Sequence, residues 1–206
     1  MKKATEIFGK WAEEGKDIGM ETGHANSVNE MLDFALQERT NIGKNFSFLD
    51  LGCGNGWAAR KVAENTLCTD AVGLDGAEQM IINAKKTVGQ VEYIHADINS
   101  YIPNRKFDLI HSMEVLYYLE DPASKIKSLC DHWLEDDGRL IIGIDHYYEN
   151  LDSHSWEEKV GTRMLMLKEA EWLYIFNESG LGDIKSWRSN QSQDWSGTLV
   201  LTGKKR

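Results

Sequence analysis

The sequence predicts an α/β fold, with three αβα layers around a mostly parallel seven-stranded sheet, an antiparallel C-terminal strand and an N-terminal helical lid. Three observations lead to this prediction. After about residue 45, short β-branched or apolar runs alternate with longer amphipathic stretches, as in strand–helix–strand units. A glycine-rich turn follows the first run, and the last two runs are close enough to form a hairpin. A chain of 206 residues can bury one substantial core, so we expect a single domain, 1–206.

The strands are predicted from short runs of apolar and β-branched residues. Helical stretches separate the first five runs, so we expect parallel strands joined by crossover helices. Two further runs follow a helix that ends near Gly180, and we expect them to pair as a hairpin. The predicted strands are 46–51, 70–75, 91–95, 107–112, 138–145, 181–189 and 195–203.

The helices are predicted from apolar residues at helical spacing, for example Val62 with Ala58 and Ala59. Asp121 and Pro122 begin one of them as a capping residue and a first-turn proline. The segment GKDIGMETGHANS, rich in glycine and polar groups, is predicted to connect two N-terminal helices. The predicted helices are 1–14, 25–39, 57–66, 77–89, 121–136 and 168–180.

Composition excludes several classes of function. The net charge of −10, with a single basic cluster from Lys204 to Arg206, disfavours nucleic acid and anionic membranes as partners. The sequence has no apolar secretory segment and no long apolar run, which predicts a cytoplasmic protein. Cys53, Cys68 and Cys130 are odd in number and lack ligand spacing, so neither a disulfide framework nor a structural zinc site is expected.

The segment Phe48–Gly56, FLDLGCGNG, is the strongest functional signal in the chain. It is a buried strand that runs into three alternate glycines and then a helix. Glycine lets the backbone turn tightly and approach a ligand closely, and a helix N-terminus offers N–H groups to an anion. We interpret the segment as a cofactor-binding loop, in preference to a glycine-rich turn without a ligand.

A dinucleotide-binding loop is the main alternative for this segment. Its fingerprint places the third glycine one residue later, where this sequence has Trp57. The large indole disfavours NAD or FAD, and no GxxxxGK[ST] sequence is present to bind nucleotide phosphates.

Asp75 ends the second predicted strand, 23 residues after Gly52. In a doubly wound fold the tip of this strand faces a ribose, and one carboxylate can accept hydrogen bonds from both ribose hydroxyls. The alternative is that Asp75 caps the helix that begins near Ala77. We favour ribose binding.

Four segments in order resemble the class I S-adenosylmethionine-dependent methyltransferases, in particular the small-molecule branch. FLDLGCGNG is similar to the first motif of that family, VGLD to the acidic second motif and HADI to the segment that contacts adenine. FDLIHSMEVLYYL is similar to the fourth-strand motif beside the methyl donor. The resemblance covers residues 46 to about 145 and implies a Rossmann-like fold. It also implies S-adenosyl-L-methionine as cofactor, S-adenosyl-L-homocysteine as product and no metal.

The resemblance divides the chain into a lid (1–42), a cofactor-binding core (46–145) and a substrate-side loop, helix and terminal hairpin (146–206). It places Asp50 and the glycine loop around the methionine part of the cofactor. Met80 has core packing as its alternative role, and Asp97 an exposed turn. Gly76 and Tyr118 stand where many relatives have an apolar residue and a histidine. The implied cofactor-binding residues are Asp50, Gly52, Cys53, Gly54, Asp75, Gly76, Met80, Asp97, Ile98, His111, Ser112 and Met113.

Catalytic residues are expected from three segments near the predicted crevice, since loops at the carboxyl ends of parallel strands surround the ligand. Methyl transfer depends mainly on alignment, and a base is needed only when the acceptor arrives protonated. The candidates are His24 in the lid, Glu114 and Tyr117 after the fourth strand, and His146 after the fifth. Core packing and helix capping are their alternative roles. Further wall residues are Trp11, Met20, Glu21, Tyr118, Tyr147, Tyr148, Trp156, Trp172 and Trp187.

The sequence thus predicts an enzyme that transfers a methyl group from S-adenosylmethionine to a small molecule by in-line displacement. The absence of an Asn-Pro-Pro-Tyr type sequence after strand four disfavours the nucleic-acid amino-methylating branch. The alternatives are a non-catalytic cofactor-binding sensor or partner subunit and, less favoured, a nicotinamide-dependent oxidoreductase. Neither the acceptor atom nor the oligomeric state follows from the sequence.

Overall fold

Seven strands form one sheet at the centre of the protein, seen in a computed structural model that describes residues 1–206. Their order is β3-β2-β1-β4-β5-β7-β6, and β7 runs antiparallel to its neighbours β5 and β6 while the other neighbouring pairs are parallel. The predicted fold class is confirmed. The strands are β1 Phe46–Leu51, β2 Cys68–Asp75, β3 Glu92–His95, β4 Phe107–Met113, β5 Leu134–Ile144, β6 Leu181–Ser189 and β7 Thr198–Lys205.

Helices cover both faces of the sheet. One core joins α2 and α3 to the sheet through Met31, Val62 and Phe48. The larger core joins α5 and α7 to the other face through Ile126, Trp172 and neighbouring apolar residues. No helix is both long enough and apolar enough to cross a membrane. The helices are α1 Ala4–Glu13, α2 Asp17–Ile42, α3 Trp57–Ala63, α4 Glu78–Lys86, α5 Pro122–Ser128, α6 Trp156–Val160 and α7 Glu169–Glu178.

Several predicted element boundaries differ from the structure by three residues or more, and two of them are informative. The expected N-terminal connection is instead the beginning of α2, which is continuous over 26 residues. Each glycine in a helix costs about 1 kcal/mol, and burial of Met31, Leu32 and Ala35 from the same helix offsets that cost. The predicted helix 121–136 continues after α5 as a π-helical turn, Leu129–Trp133, and ends there because Leu134 pairs with Phe107 in the sheet. Sheet pairing therefore overrides helical spacing there.

The sheet order reverses between β1 and β4, because the chain continues from β1 to one side and from β4 to the other. Open α/β sheets bind ligands beside such a reversal, at the carboxyl ends of the strands. The fold therefore predicts a ligand-binding site at the carboxyl ends of β1, β2 and β4.

Glu38 joins the long helix α2 to the sheet through an ion-pair network. Its carboxylate accepts hydrogen bonds from Arg139 Nε at 2.7 Å and Nη2 at 3.1 Å, and it pairs with Lys204 Nζ at 2.5 Å. Arg139 also contacts Asp183 at 2.9 Å. Burial alone would raise the pKa of Glu38, but the Arg139 and Lys204 hydrogen bonds outweigh it and lower this pKa from 4.5 to about 2.

We expect Glu38→Gln to remove part of the pH dependence of stability. Because the folded-state pKa is depressed, Glu38 stabilises the fold above pH 4.5, and this contribution disappears as the pH falls from 4.5 to about 2. The shift corresponds to at most about 3 kcal/mol. Urea unfolding at pH 6 and pH 3 should show a smaller acid loss in Glu38→Gln than in the parent or in Glu178→Gln, which changes an exposed glutamate. Equal acid losses in all three would contradict this account.

Candidate functional site

A cavity of about 1710 Å³ lies at the carboxyl ends of β1, β2 and β4. Pockets for one small molecule usually measure about 300–1,000 Å³. This cavity therefore has room for a cofactor and a second molecule. Its wall includes fourteen of the sixteen residues proposed from the sequence, namely His24, Asp50, Gly52, Cys53, Gly54, Asp75, Gly76, Met80, Asp97, Ile98, His111, Met113, Glu114 and Tyr117.

The glycine loop forms one side of the cavity and has a rigid shape. Gly52, Gly54 and Gly56 have φ values of 76°, 54° and 79°, which disfavour any residue with a side chain. A Cβ on Gly52 would lie 2.2 Å from Cγ2 of Val115, so the loop also approaches the segment after β4 too closely for one. Glycine is needed here for both reasons.

The loop uses several of its own N–H groups internally. The N–H groups of Gly52 and Cys53 both donate to the Leu74 carbonyl, at 2.7 and 3.0 Å, and that of Gly54 donates to Asp75. These three N–H groups fasten the loop to β2. The N–H groups expected to face an anion belong to the N-terminus of the following helix, α3, which begins at Trp57.

Asp75 stands at the tip of β2 and holds the loop from the other side. Its Oδ2 accepts from Gly54 N at 2.9 Å and its Oδ1 from Ala77 N at 2.7 Å. The Ala77 contact forms a turn before α4 and does not cap the helix, because Ala77 is itself the N-cap residue and α4 has no side-chain cap. Burial raises the pKa of Asp75, and the two N–H donors oppose this rise. Since each carboxylate oxygen can accept more than one hydrogen bond, both oxygens retain capacity for ribose hydroxyls.

Asp50 and His111 form a buried pair across β1 and β4, where they are direct partners in the strand register. Asp50 Oδ1 lies 2.7 Å from His111 Nδ1, and the two residues are 3% and 1% exposed. A proton on Nδ1 leaves Nε2 of His111 as an acceptor. That Nε2 has no partner in the protein, and the residue lines the cavity.

Three further candidates have packing roles beside the cavity. Met80 is 2% exposed and packs with Ala12 and Ala77. Cys53 is buried, which raises the pKa of its thiol well above the ordinary value. Ile98 belongs to the larger core. All three line the cavity as well as the core.

The other cofactor-side candidates lie in different surroundings. Asp97 is exposed and accepts from the Asn99 backbone N–H at 2.9 Å, the turn role named as its alternative. Gly76 leaves room for Thr5 of α1, because a Cβ there would lie 2.7 Å from Thr5 Cγ2. Ser112 lies outside the cavity wall, and its hydroxyl donates to the Leu51 carbonyl at 2.8 Å inside the sheet. Met113 lines the cavity.

The N-terminal helices cover the mouth of the cavity. Phe8 of α1 meets the ring of Tyr118 edge-on, with centroids 5.2 Å apart. Glu21 of α2 accepts a hydrogen bond from Asn55 of the glycine loop at 2.9 Å. Trp11 and Met20 from the same region also line the cavity. This segment is therefore in place to separate the site from solvent.

His24, Glu114 and Asp145 form a cluster where α2 meets the ends of β4 and β5. His24 Nε2 lies 3.8 Å from Asp145 Oδ2. Glu114 accepts from the Asp145 backbone N–H and, at 2.6 Å, from the Tyr117 hydroxyl. One ligand atom from each of the three side chains can be chosen so that all lie within 4.8 Å of one another.

Burial controls the proton affinity of this cluster. It raises the pKa of Glu114 well above its ordinary value, and the nearby Asp145 carboxylate raises it further. Burial also raises the pKa of Asp145, against the effects of Thr198 and His24. The pKa of His24 is lowered by burial, which outweighs Asp145 and the Met20 carbonyl. A neutral imidazole thus faces two carboxyl groups that hold protons more tightly than usual.

Most residues proposed after β5 lie away from the cavity. His146 is 1% exposed, and its Nδ1 lies 3.1 Å from the Ser153 carbonyl. Tyr147 is fully buried and donates to the Gly197 carbonyl, while Tyr148 is 51% exposed. Trp172 and Trp187 are likewise absent from the cavity wall, which does include Trp156.

Asp145 is the main residue that the sequence interpretation missed. It directly follows β5, as Glu114 directly follows β4. The signal was available, because an acidic residue at the carboxyl end of a parallel strand is placed beside the crevice. The sequence interpretation instead proposed the adjacent His146, which lies outside the cavity wall.

Residues 49–142 match a family model described as a methyltransferase domain. The trans-aconitate 2-methyltransferase of Azoarcus sp. is 28% identical over 164 residues, covering 74% of this chain and 64% of the relative. The (S)-coclaurine N-methyltransferase of Papaver somniferum is 29% identical over 184 residues, covering 79% of this chain and 51% of the relative. The chain thus spans between half and two thirds of the length of these relatives.

Solved structures share the fold over most of the chain. A methyltransferase in complex with the Haloferax volcanii Trm112 methyltransferase activator superposes with a TM-score of 0.80 at 24% identity, covering 96% of both chains. Magnesium protoporphyrin IX methyltransferase from Synechocystis PCC 6803 with bound S-adenosylhomocysteine gives 0.69 at 19% identity, covering 90% and 84%. At these identities the likeness concerns the fold.

Proposed function

We propose that this chain is a class I S-adenosylmethionine-dependent methyltransferase and that it transfers the methyl group of S-adenosylmethionine to a small-molecule acceptor. The observation that carries the proposal is the convergence of the glycine loop, Asp75 and the Asp50–His111 pair on one cavity with room for two molecules. We place the cofactor along the ends of β1 and β2. The acceptor then lies between the ends of β4 and β5 and the N-terminal helices.

The chain's own side chains fit this cofactor. The unpartnered Nε2 of His111 is a buried acceptor suited to the amino group of the methionine part. Asp75 is suited to the ribose hydroxyls, and Met80 and Ile98 to the adenine faces. Because Gly52 and Gly54 have no side chains, the cofactor can approach their backbone closely. Asp97, Gly76, Cys53 and Met113 remain proposed neighbours, while Ser112 supports the strand from inside.

The cofactor supplies a methyl group on a positively charged sulfur. Transfer by in-line displacement requires the acceptor atom about 3 Å from that methyl group and aligned with the bond that breaks. We assign this alignment to the wall formed by Glu114, Tyr117 and Tyr118 and to the cover formed by α1 and α2. The cover excludes water, which would compete with the acceptor.

His24 and Glu114 are our candidates for removing a proton from the acceptor. Both line the cavity, and the lowered pKa of His24 keeps its ring neutral and able to accept a proton at neutral pH. Tyr117 donates to Glu114 and so fixes its carboxyl group. His146 has no contact with the cavity and is the weakest of the four catalytic candidates.

Transfer of labelled methyl groups tests this proposal. The purified chain, incubated with methyl-labelled S-adenosylmethionine and fractionated metabolite extracts, should give a labelled small-molecule product and S-adenosylhomocysteine in equal amounts. A labelled protein or nucleic acid in place of a small molecule would contradict the acceptor class. Cofactor binding without transfer to any fraction would contradict catalysis by the chain alone.

A partner-dependent enzyme is the second candidate. It is favoured by the structural likeness to the Haloferax volcanii methyltransferase that is bound to its Trm112 activator. Under this alternative the chain binds cofactor alone but transfers methyl groups only after a partner protein is added. Transfer assays with and without a co-expressed activator of that type separate the two candidates.

A further inference from the structure

Three side chains that carry hydrogen-bond acceptors, His24, Glu114 and Asp145, converge beside the proposed acceptor site. Asp145 Oδ1 has no partner although the residue is 5% exposed, and Asp145 Oδ2 faces His24 Nε2 at 3.8 Å. Glu114 adds a third acceptor within 4.8 Å of the others. A buried carboxyl pair of this kind is stable only with a proton or a cation to balance it.

The spacing of the three acceptors is compatible with both an ammonium group and a small metal ion. Tetrahedral zinc lies about 2.0–2.2 Å from its ligands, which puts them about 3.5 Å apart. An ammonium group donates over about 2.8 Å, which puts its acceptors about 4.6 Å apart. The 3.8 Å His24–Asp145 distance is closer to the zinc spacing and the 4.8 Å limit of the cluster is closer to the ammonium spacing, so the aromatic surroundings of the cluster decide between the two.

The charge of the cavity also favours a cation. Its wall carries nine Asp and Glu side chains against four Lys and Arg, and such a field attracts positive ligands. The Tyr117 and Tyr118 rings, with centroids 4.4 Å apart, stand beside Glu114, and ring faces attract ammonium groups. The same field disfavours an acceptor that carries carboxylates.

We infer that the methyl acceptor is an organic amine. Its ammonium form contacts Glu114 and His24, and the nearby Asp145 carboxylate supplies negative charge. This inference rests on the proposed function and names its substrate class. His24 and Glu114 contact the amine because both line the cavity. Asp145 does not line the cavity, so it acts as a positioning residue: its carboxylate supplies negative charge close to His24 and Glu114.

The chemistry balances without a further reactant. The ammonium group gives one proton to the cluster, with His24 Nε2 as the nearest neutral base. The amine lone pair then forms the new N–C bond to the methyl group while the S–C bond breaks and its electron pair stays on sulfur. The positive charge passes from sulfur to the methylated nitrogen, and the proton held by the cluster leaves to solvent.

Matched acceptors test the inference directly. The panel consists of 2-phenylethylamine, tyramine and cyclohexylmethylamine, each with the alcohol and the carboxylic acid built on the same carbon skeleton. We expect calorimetry to detect binding of the amines to the enzyme loaded with S-adenosylhomocysteine. The amines should bind at least about 10-fold more tightly than their alcohols, and labelled transfer should follow the same order.

Two variants test whether the preference for amines depends on the carboxyl groups of the cluster. Glu114→Gln and Asp145→Asn should each weaken amine binding by about 10- to 100-fold and leave affinity for S-adenosylmethionine within about twofold. Glu120→Gln, which alters an exposed carboxylate on the cavity rim, should change neither. If one cluster variant does not fold, the other carries the test.

Several results would overturn the inference. Equal or tighter binding of alcohols or acids, or no bound amine while S-adenosylmethionine binds normally, removes the amine and leaves the proposed function standing. Activity lost after chelation and restored by zinc or manganese would make the cluster a metal site instead. Failure of S-adenosylmethionine itself to bind is a different outcome, which removes the proposed function as well.

Discussion

Replacing Asp75 with asparagine is expected to weaken S-adenosylmethionine binding by roughly 30- to 150-fold. Asparagine keeps the shape of the side chain but carries no charge and has an NH2 donor in place of one acceptor oxygen, so it loses a charge-assisted hydrogen bond from a ribose hydroxyl. Loss of a charge-assisted hydrogen bond costs about 2–3 kcal/mol, and 1.4 kcal/mol is tenfold in affinity. Titration calorimetry with the purified variant measures the change.

The matched control is Asp70→Asn at the other end of the same strand. Asp70 pairs with Arg105 at 3.0 Å near the surface and lies outside the cavity wall. This variant should bind the cofactor as the parent does. If Asp75→Asn also keeps the affinity of the parent, Asp75 only fastens the glycine loop through Gly54 and Ala77.

Replacing Gly52 with alanine is expected to lower the free energy of unfolding by about 2–5 kcal/mol. The positive φ of 76° costs a residue with a Cβ about 1–2 kcal/mol. The new methyl group would also lie 2.2 Å from Val115, and overpacking of this kind costs about 1–3 kcal/mol. Urea unfolding measures the sum, and cofactor affinity should fall with it because the loop must move.

Gly161→Ala separates the two contributions. Gly161 has a φ of 79°, and a Cβ there would meet no atom within 4 Å. The free energy of unfolding of Gly161→Ala should therefore fall only by the cost of the positive φ, about 1–2 kcal/mol. The double variant Gly52→Ala with Val115→Ala should regain part of the packing loss relative to Gly52→Ala. Equal losses at Gly52 and Gly161 would show that the approach of Val115 is unimportant.

The fold was predictable because its signals are local. The alternation of apolar runs and helical stretches identified the parallel strands, and β1 and β6 match their predicted boundaries. The start of α2 was not predictable in this way. Its glycine content favours a loop, and only burial of Met31 and Leu32 against the sheet makes a continuous helix favourable.

The cofactor side of the site was more predictable than the acceptor side. The glycine loop and Asp75 follow from strand ends and turn chemistry, which a sequence displays directly. The acceptor wall depends on how α2 crosses β4 and β5, which no local pattern reveals. For this reason His146 was proposed and the adjacent Asp145, which meets His24 and Glu114, was not.

Thermal unfolding with a small ligand panel tests the central claim most directly. A ligand at about 100 times its dissociation constant adds about 2.7 kcal/mol, which for a chain of this size raises the melting temperature by roughly 5–10 °C. We predict such a rise with S-adenosylmethionine and with S-adenosylhomocysteine, and none with NADH. A rise with NADH and none with either adenosyl ligand at saturation would contradict the account.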